Sequence, residues 1–161
     1  MGFFKPISSL GPILVAVAIG GALPAWAACP IFEDRVVERA AGEHKGREQL
    51  SAVGDFDGDG YADQVFFLEG AGKFFLVVCL HGRERAIEVM ELSSIGNHGV
   101  RLARRGAYTN ACAKGYGRGC GPDDVVNLKL DHAAIEFFKY ESSSQLVYWD
   151  GDRFDVFPLS D

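Results

Sequence analysis

The chain has 161 residues, with 22 Asp and Glu against 16 Lys and Arg, a net charge of −6. So acidic a balance excludes a nucleic-acid partner, whose phosphates require a basic footprint, and is compatible with binding cations. Beyond an N-terminal leader, the length suits one compact domain with a real core and is too short for two of ordinary size.

The leader comes first. Lys5 is the only charged residue before Glu33, and it is followed by "PISSLGPILVAVAIGGALPAWA". This apolar stretch is interrupted by Gly and Pro and ends in the small-x-small triplet Ala25-Trp26-Ala27, which predicts an export signal cleaved after Ala27. Its apolar core, Ile13 to Leu23, falls short of the ~20 residues of a spanning helix, so no membrane span is expected in the mature chain. Residues 28–161 are then a single domain of net charge −7, since only Lys5 is lost. The expected location is periplasmic or secreted. Lipid attachment at Cys29 is the alternative, although the preceding Trp26-Ala27-Ala28 lacks the Leu usual three places upstream.

"PIFEDRVVERAA", residues 30–41, opens on Pro, carries acids in its first turn and is followed by Gly42; these start and stop signals predict one short helix. A polar loop, "GEHKGREQ", leads on from it. From residue 50 the pattern becomes β. Runs rich in Val, Ile, Phe and Tyr recur between Gly, Asn, Asp and Ser every eight to twelve residues, which predicts strands near 64–69, 74–80, 86–92, 99–104, 124–130, 133–139, 145–149 and 153–158. "QVFFL" and "KFFLVVCL" are apolar on both sides and belong in the core. Short connections such as "EGAGK", "LDHAA" and "WDGDR" require neighbouring strands to pair antiparallel. The expected fold is all-β, a compact antiparallel two-layer meander of about eight strands.

Just before the first of these strands stands "DFDGDGYAD". Asp55, Asp57, Asp59 and Asp63 occupy positions 1, 3, 5 and 9 of a loop with Gly60 at position 6. Carboxylates about 4 Å apart repel by up to roughly 4 kcal/mol per pair at an effective dielectric of 20, so something must compensate them. Calcium takes six to eight oxygens, and alternate side chains of a tight loop point at one centre, with the Tyr61 carbonyl as a further ligand and Asp63 closing the site. The predicted cofactor is therefore Ca2+. A helix-loop-helix calcium hand is excluded, because its position 12 would be Phe66 and a strand follows the loop.

"DFDGDGYADQVFFL" resembles the calcium loop and following strand of FG-GAP or VCBS-type repeats, the repeat of integrin α-chain propellers and related bacterial envelope proteins. The resemblance covers about residues 51–69, and the Phe-Gly-x-Gly-x-Pro element is absent. It implies calcium ligation by Asp55, Asp57, Asp59, the Tyr61 carbonyl and Asp63. A propeller needs four or more blades of about four strands each, so a single copy here implies a small β-domain and not a ring. The tail "SSSQLVYWDGDRFDVFPLSD" also looks like the ending of small exported bacterial proteins with one such loop.

The four cysteines, Cys29, Cys79, Cys112 and Cys120, all lie beyond the leader. An even count in an exported chain predicts two disulfides. Cys112 and Cys120 bracket a glycine-rich loop and are paired, leaving Cys29 with Cys79; a zinc site would need Cys-x-x-Cys or paired-His spacing that is missing. Within "ACAKGYGRGCG", Lys114, Tyr116 and Arg118 are candidate partner contacts, since interfaces favour Tyr and Arg. A phosphate cradle is disfavoured there because another strand follows where a helix should open. "DGDRFD" fits a hairpin turn better than a second metal loop. His44, His81, His98 and His132 are scattered through loops, and no Ser lies in a nucleophile elbow. The expected function is binding of a protein or envelope partner. A small exported hydrolase with calcium near its site is one alternative, and an inhibitor or immunity-type protein acting through the 112–120 loop is the other.

Overall fold

The computed structural model describes residue 29, residues 49–116 and residues 119–160. The leader, the helix expected over 30–41 and Arg118 lie outside the described residues. Within them the chain is all-β, with ten strands and one short 3-10 turn, Ala111–Lys114.

Sheet one is a meander of β1 (Ser51–Gly54), β2 (Asp63–Gly70), β3 (Lys73–Cys79) and β4 (Ile87–Leu92) in that order. Its centre is the β2–β3 hairpin, turned by Ala71 and Gly72, both at positive φ. Two such residues in succession match the right-handed twist of the flanking strands. The alternation along these strands divides their apolar residues between two faces. Val65, Phe67, Leu76 and Val78 enter the core between the sheets, while Phe66, Val77 and Cys79 form a second cluster on the outer face. Cys29 joins that outer cluster and pairs with Cys79, with Cα atoms 5.5 Å apart.

Sheet two has the order β10 (Phe154–Ser160), β9 (Ser144–Trp149), β8 (Ala134–Lys139), β5 (His98–Ala103). Val100, Ile135, Phe137 and Val147 face sheet one. Ala134, Leu146 and Phe157 face the other way and are covered by Tyr108, Leu128 and Leu130 of a two-stranded ribbon, β6 (Gly106–Thr109) with β7 (Asn127–Leu130). Burying each large apolar side chain contributes about 1.5–3 kcal/mol, and this ribbon is how the outer face of sheet two obtains that cover.

The ribbon continues the β5–β8 pair. Between the partners Ala103 and Ala134 and the partners Gly106 and Leu130 lie residues 104–105 on one side and 131–133 on the other. The extra residue makes a bulge, which bends the long hairpin so that its tip folds over the sheet. At that tip Cys112 and Cys120 pair, their Cα atoms 4.9 Å apart.

The strands expected from the sequence are present, and the architecture is antiparallel and layered, with sheets that close into neither barrel nor propeller among the described residues. Two strands are additional, β1 and β6, and β7 begins at Asn127 instead of 124. Beyond Asn127 the pairing continues for one more backbone bond, Asn110 N–H to the Val126 carbonyl at 2.8 Å, after which the side chain of buried Asn110 takes over and donates its Nδ2 to the Val125 carbonyl at 2.9 Å.

Gly99 shows how tightly the second sheet is packed. It pairs with Phe138, and a Cβ added there would lie 2.6 Å from Phe138 Cζ and 3.2 Å from the Gln49 carbonyl oxygen. Gly99→Ala is expected to lower stability by about 1–3 kcal/mol, because backbone as well as ring must move. Gly72→Ala, with nothing near the added carbon, should cost only about 1 kcal/mol from its left-handed φ. Urea denaturation of the two variants checks the order.

Candidate metal centre

The acidic loop is the connection between β1 and β2, residues 55–62, closed by the pairing of Gly54 with Asp63. Both of its glycines, Gly58 and Gly60, have positive φ, 81° and 88°, a region L side chains rarely adopt. These glycines let the chain wrap around its first carboxylate. Asp55 Oδ1 accepts from Gly58 N–H at 2.8 Å and Oδ2 from Gly60 N–H at 3.2 Å. Asp57 Oδ1 accepts from Asp59 N–H and Asp59 Oδ1 from Tyr61 N–H, each two residues on, the local pattern that suits Asp to turns.

Two anchors hold the loop to the domain. The Phe56 side chain is fully buried in the inter-sheet core. The Asp55 carbonyl accepts from Ala133 N–H at 3.2 Å, which ties the loop to the bulge of the long hairpin. Close packing continues at Gly58, where an added Cβ would sit 3.1 Å from His132 Cδ2.

Asp63 opens β2 and is only 2% exposed. Its Oδ2 accepts from Phe56 N–H at 2.6 Å and its Oδ1 from His81 N–H at 2.8 Å, so one carboxylate bridges the loop and the end of β3. Burial pushes the Asp63 carboxyl above 3.8, backbone donors, chiefly His81 and Phe56, pull it back, and the neighbouring Asp57 charge adds to the upward push. The charged form is thus held at a cost that hydrogen bonding only partly offsets.

Ligand oxygens of Asp55, Asp57 and Asp63 all lie within 4.8 Å of one another. Two oxygens bound to one Ca2+ at about 2.4 Å can be separated by no more than about 4.8 Å, so this trio meets the geometric limit for sharing an ion. The donors are hard carboxylate oxygens, suited to a hard dication. The trio can hold a metal ion. Backbone donors supply part of the compensation: six N–H groups point at the four loop carboxylates. They carry partial charges only, whereas each carboxylate carries a full one.

Asp59 is not among the carboxylates that converge at this spacing. Asp59 Oδ2 is 3.8 Å from His81 Nδ1, and the Tyr61 ring, 60% exposed, stacks on the His81 ring with centroids 4.2 Å apart. His81 was given no role by sequence; it stands 18 residues from Asp63, and only the β2–β3 register brings the two together. Of the candidate contacts, Lys114 Nζ donates to the Leu159 carbonyl at 3.1 Å and Tyr116 is 47% exposed. "DGDRFD" forms the expected hairpin turn, in which Asp150 Oδ1 accepts from Asp152 and Arg153 N–H. These two donors hold the Asp150 carboxyl below 3.8.

The hydrolase alternative asks for a cleft that gathers Ser, His and an acid. One cleft brings His98 beside Ser143, Ser144 and Ser160, but its described lining holds no carboxylate to orient the imidazole. Compared with protein-family models, curated proteins and solved structures, the chain matches none.

Asp57→Asn and Asp63→Asn separate the two jobs of the loop. In the presence of chelator, Asp63→Asn should lower stability by about 1–3 kcal/mol, since an amide offers one acceptor where two backbone donors need two. Asp57→Asn should leave chelated stability unchanged or slightly raised, because it removes a repulsion. Chemical denaturation in chelator reads both.

Proposed function

We propose that this protein is an exported, disulfide-bonded β-module whose β1–β2 loop binds one structural Ca2+ and whose task is to bind a protein or envelope partner. The observation that carries the metal assignment is the convergence of the Asp55, Asp57 and Asp63 carboxylates at ligand spacing. Asp59 and the Tyr61 carbonyl are the remaining ligands proposed from their loop positions. The similarity of residues 51–69 to a single FG-GAP or VCBS-type repeat points the same way. A bound dication supplies positive charge among the crowded oxygens. The chain's own residues do the rest: Phe56 plugs the core, Asp63 ties β2 to β3, and Asp55 holds the loop on Ala133.

Export to the periplasm or the medium is supported by two cysteine pairs at disulfide distance, which suit an oxidising compartment; cleavage after Ala27 is proposed from the Ala25-Trp26-Ala27 triplet alone. No helix among the described residues is long and apolar enough to cross a membrane. Binding is preferred to catalysis because the acidic loop is committed to holding the hairpin together.

Thermal unfolding with Ca2+ against chelator tests the assignment. Stabilisation should reach about 2.7 kcal/mol once free Ca2+ is a hundred times its dissociation constant, which for extracellular modules lies near 10⁻⁴ to 10⁻³ M, roughly. Asp57→Asn should shrink the shift at equal Ca2+. A wild-type curve that ignores Ca2+ and Mg2+ alike would remove the metal from the proposal.

A further inference from the structure

The ribbon tip and the edge of sheet two enclose a cleft of about 320 Å³ between the disulfide-closed loop and β10. That is the small end of ligand pockets, which run ~300–1,000 Å³, and suits one long side chain with its flanking segment. Three carboxylates line it: Asp123 and Asp124 from the loop and Asp155 from β10. Its described lining contains no Lys or Arg. Between the acids lie Val125 and Val156, which are 56% and 41% exposed, and the half-exposed ring of Tyr116. Apolar side chains left open beside carboxylates that meet no Lys or Arg among the described lining match a group that is itself apolar along its stem and cationic at its tip.

The edge of β10 narrows the manner of docking. Val156 N–H is already taken by Asp155 Oδ1 at 2.8 Å, and Pro158 has no N–H to offer. An incoming strand would find no donors at these two positions, the usual protection of an exposed edge. An occupant must therefore engage through side chains. The walls are held in place for it: the disulfide closes the loop, Lys114 Nζ bonds the Leu159 carbonyl, and Asn110 fixes the backbone at 125 and 126. Rigid walls spare a binding partner the ordering cost.

We infer that this cleft docks an arginine side chain presented by a loop or terminus of a partner protein. The guanidinium would pair with Asp124 and Asp155 in the forked geometry that carboxylates accept, and its face would lie against Tyr116, with the aliphatic stem on Val125 and Val156. Arginine is favoured over lysine because tyrosine rings and paired carboxylates reward a planar, stacking cation. The inference rests on the binding reading above and names the partner's chemistry; it does not depend on the cation loop.

The test uses the full mature chain, ¹⁵N-labelled and Ca2+-saturated, titrated with the blocked peptide acetyl-Leu-Arg-Leu-amide and, in parallel, with its Gln analogue and with spermidine. The Arg peptide should shift the amide signals of Tyr116, Val125 and Val156. It should bind at least about fivefold more tightly than the Gln peptide, the scale of a charge-assisted pair at a half-exposed site. The double variant Asp124→Asn, Asp155→Asn keeps an acceptor oxygen for Gly121 N–H and for Val156 N–H. It should weaken the Arg peptide about 5- to 30-fold, one pair to two, while retaining the Ca2+-dependent thermal shift. Asp57→Asn should do the reverse, which keeps failure of this site distinct from failure of the cation loop. Equal binding of the Gln peptide, spermidine binding as tightly as the Arg peptide, or shifts confined to residues 55–63 would each overturn the proposal.

Discussion

The buried carboxylate of Asp63 is the constraint on which the rest of the architecture turns. One oxygen accepts from the loop at Phe56 and the other from the end of β3 at His81. A single side chain thereby sets the position of the β1–β2 connection relative to the central hairpin. Burying an ionised group is costly, and the cost is tolerated only because two backbone donors, themselves in need of acceptors, converge on it. Without that bridge, Phe56 would lose its register with the core and His81 N–H would have no acceptor at the end of β3.

From this point the loop reaches both sheets. Phe56 packs into the inter-sheet cluster that also contains Val65, Leu76, Ile135 and Val147, and the Asp55 carbonyl holds Ala133 in the bulge of the long hairpin. The site that gathers negative charge is thus at the seam where sheet one, sheet two and the ribbon meet. An ion held by Asp55, Asp57 and Asp63 would act on three elements at once, a structural role for a cation whose ligands are all crowded into one turn.

The ribbon makes a second distinct surface from the same hairpin. A one-residue mismatch at 104–105 against 131–133 bends β6 and β7 over the outer face of sheet two, and the Cys112–Cys120 bridge closes the tip. Tyr108, Leu128 and Leu130 complete the packing beneath. What stays outside is the cleft lined by the acids at 123, 124 and 155 with the exposed Val125 and Val156.

Much of this was legible in the residues themselves. The acidic loop follows from the spacing of 55, 57, 59 and 63 in a glycine-bearing turn, of which the structure gathers 55, 57 and 63; the central strands follow from unbroken apolar runs such as "QVFFL", and the Cys112–Cys120 pair from its bracketing of one loop, which leaves Cys29 with Cys79. β1 and β6 were hidden because "SAVG" and "GAYT" hold too few branched or aromatic residues to signal a strand; their partners across the ladder, β2 and β7, impose the extended form. At Val125 the carbonyl is taken by the Asn110 side chain, a contact that the apolar pattern of Val125 and Val126 does not signal. Local pattern is written by neighbours within a few positions, so it determined the strands, the turns and which acids share a loop. Contacts such as Asp63 with His81 and Asp55 with Ala133, and the shared cleft of Asp124 and Asp155, join residues 18 to 78 positions apart. Only the tertiary structure decided those, because they depend on the register and bend of paired strands, which no short stretch of sequence encodes.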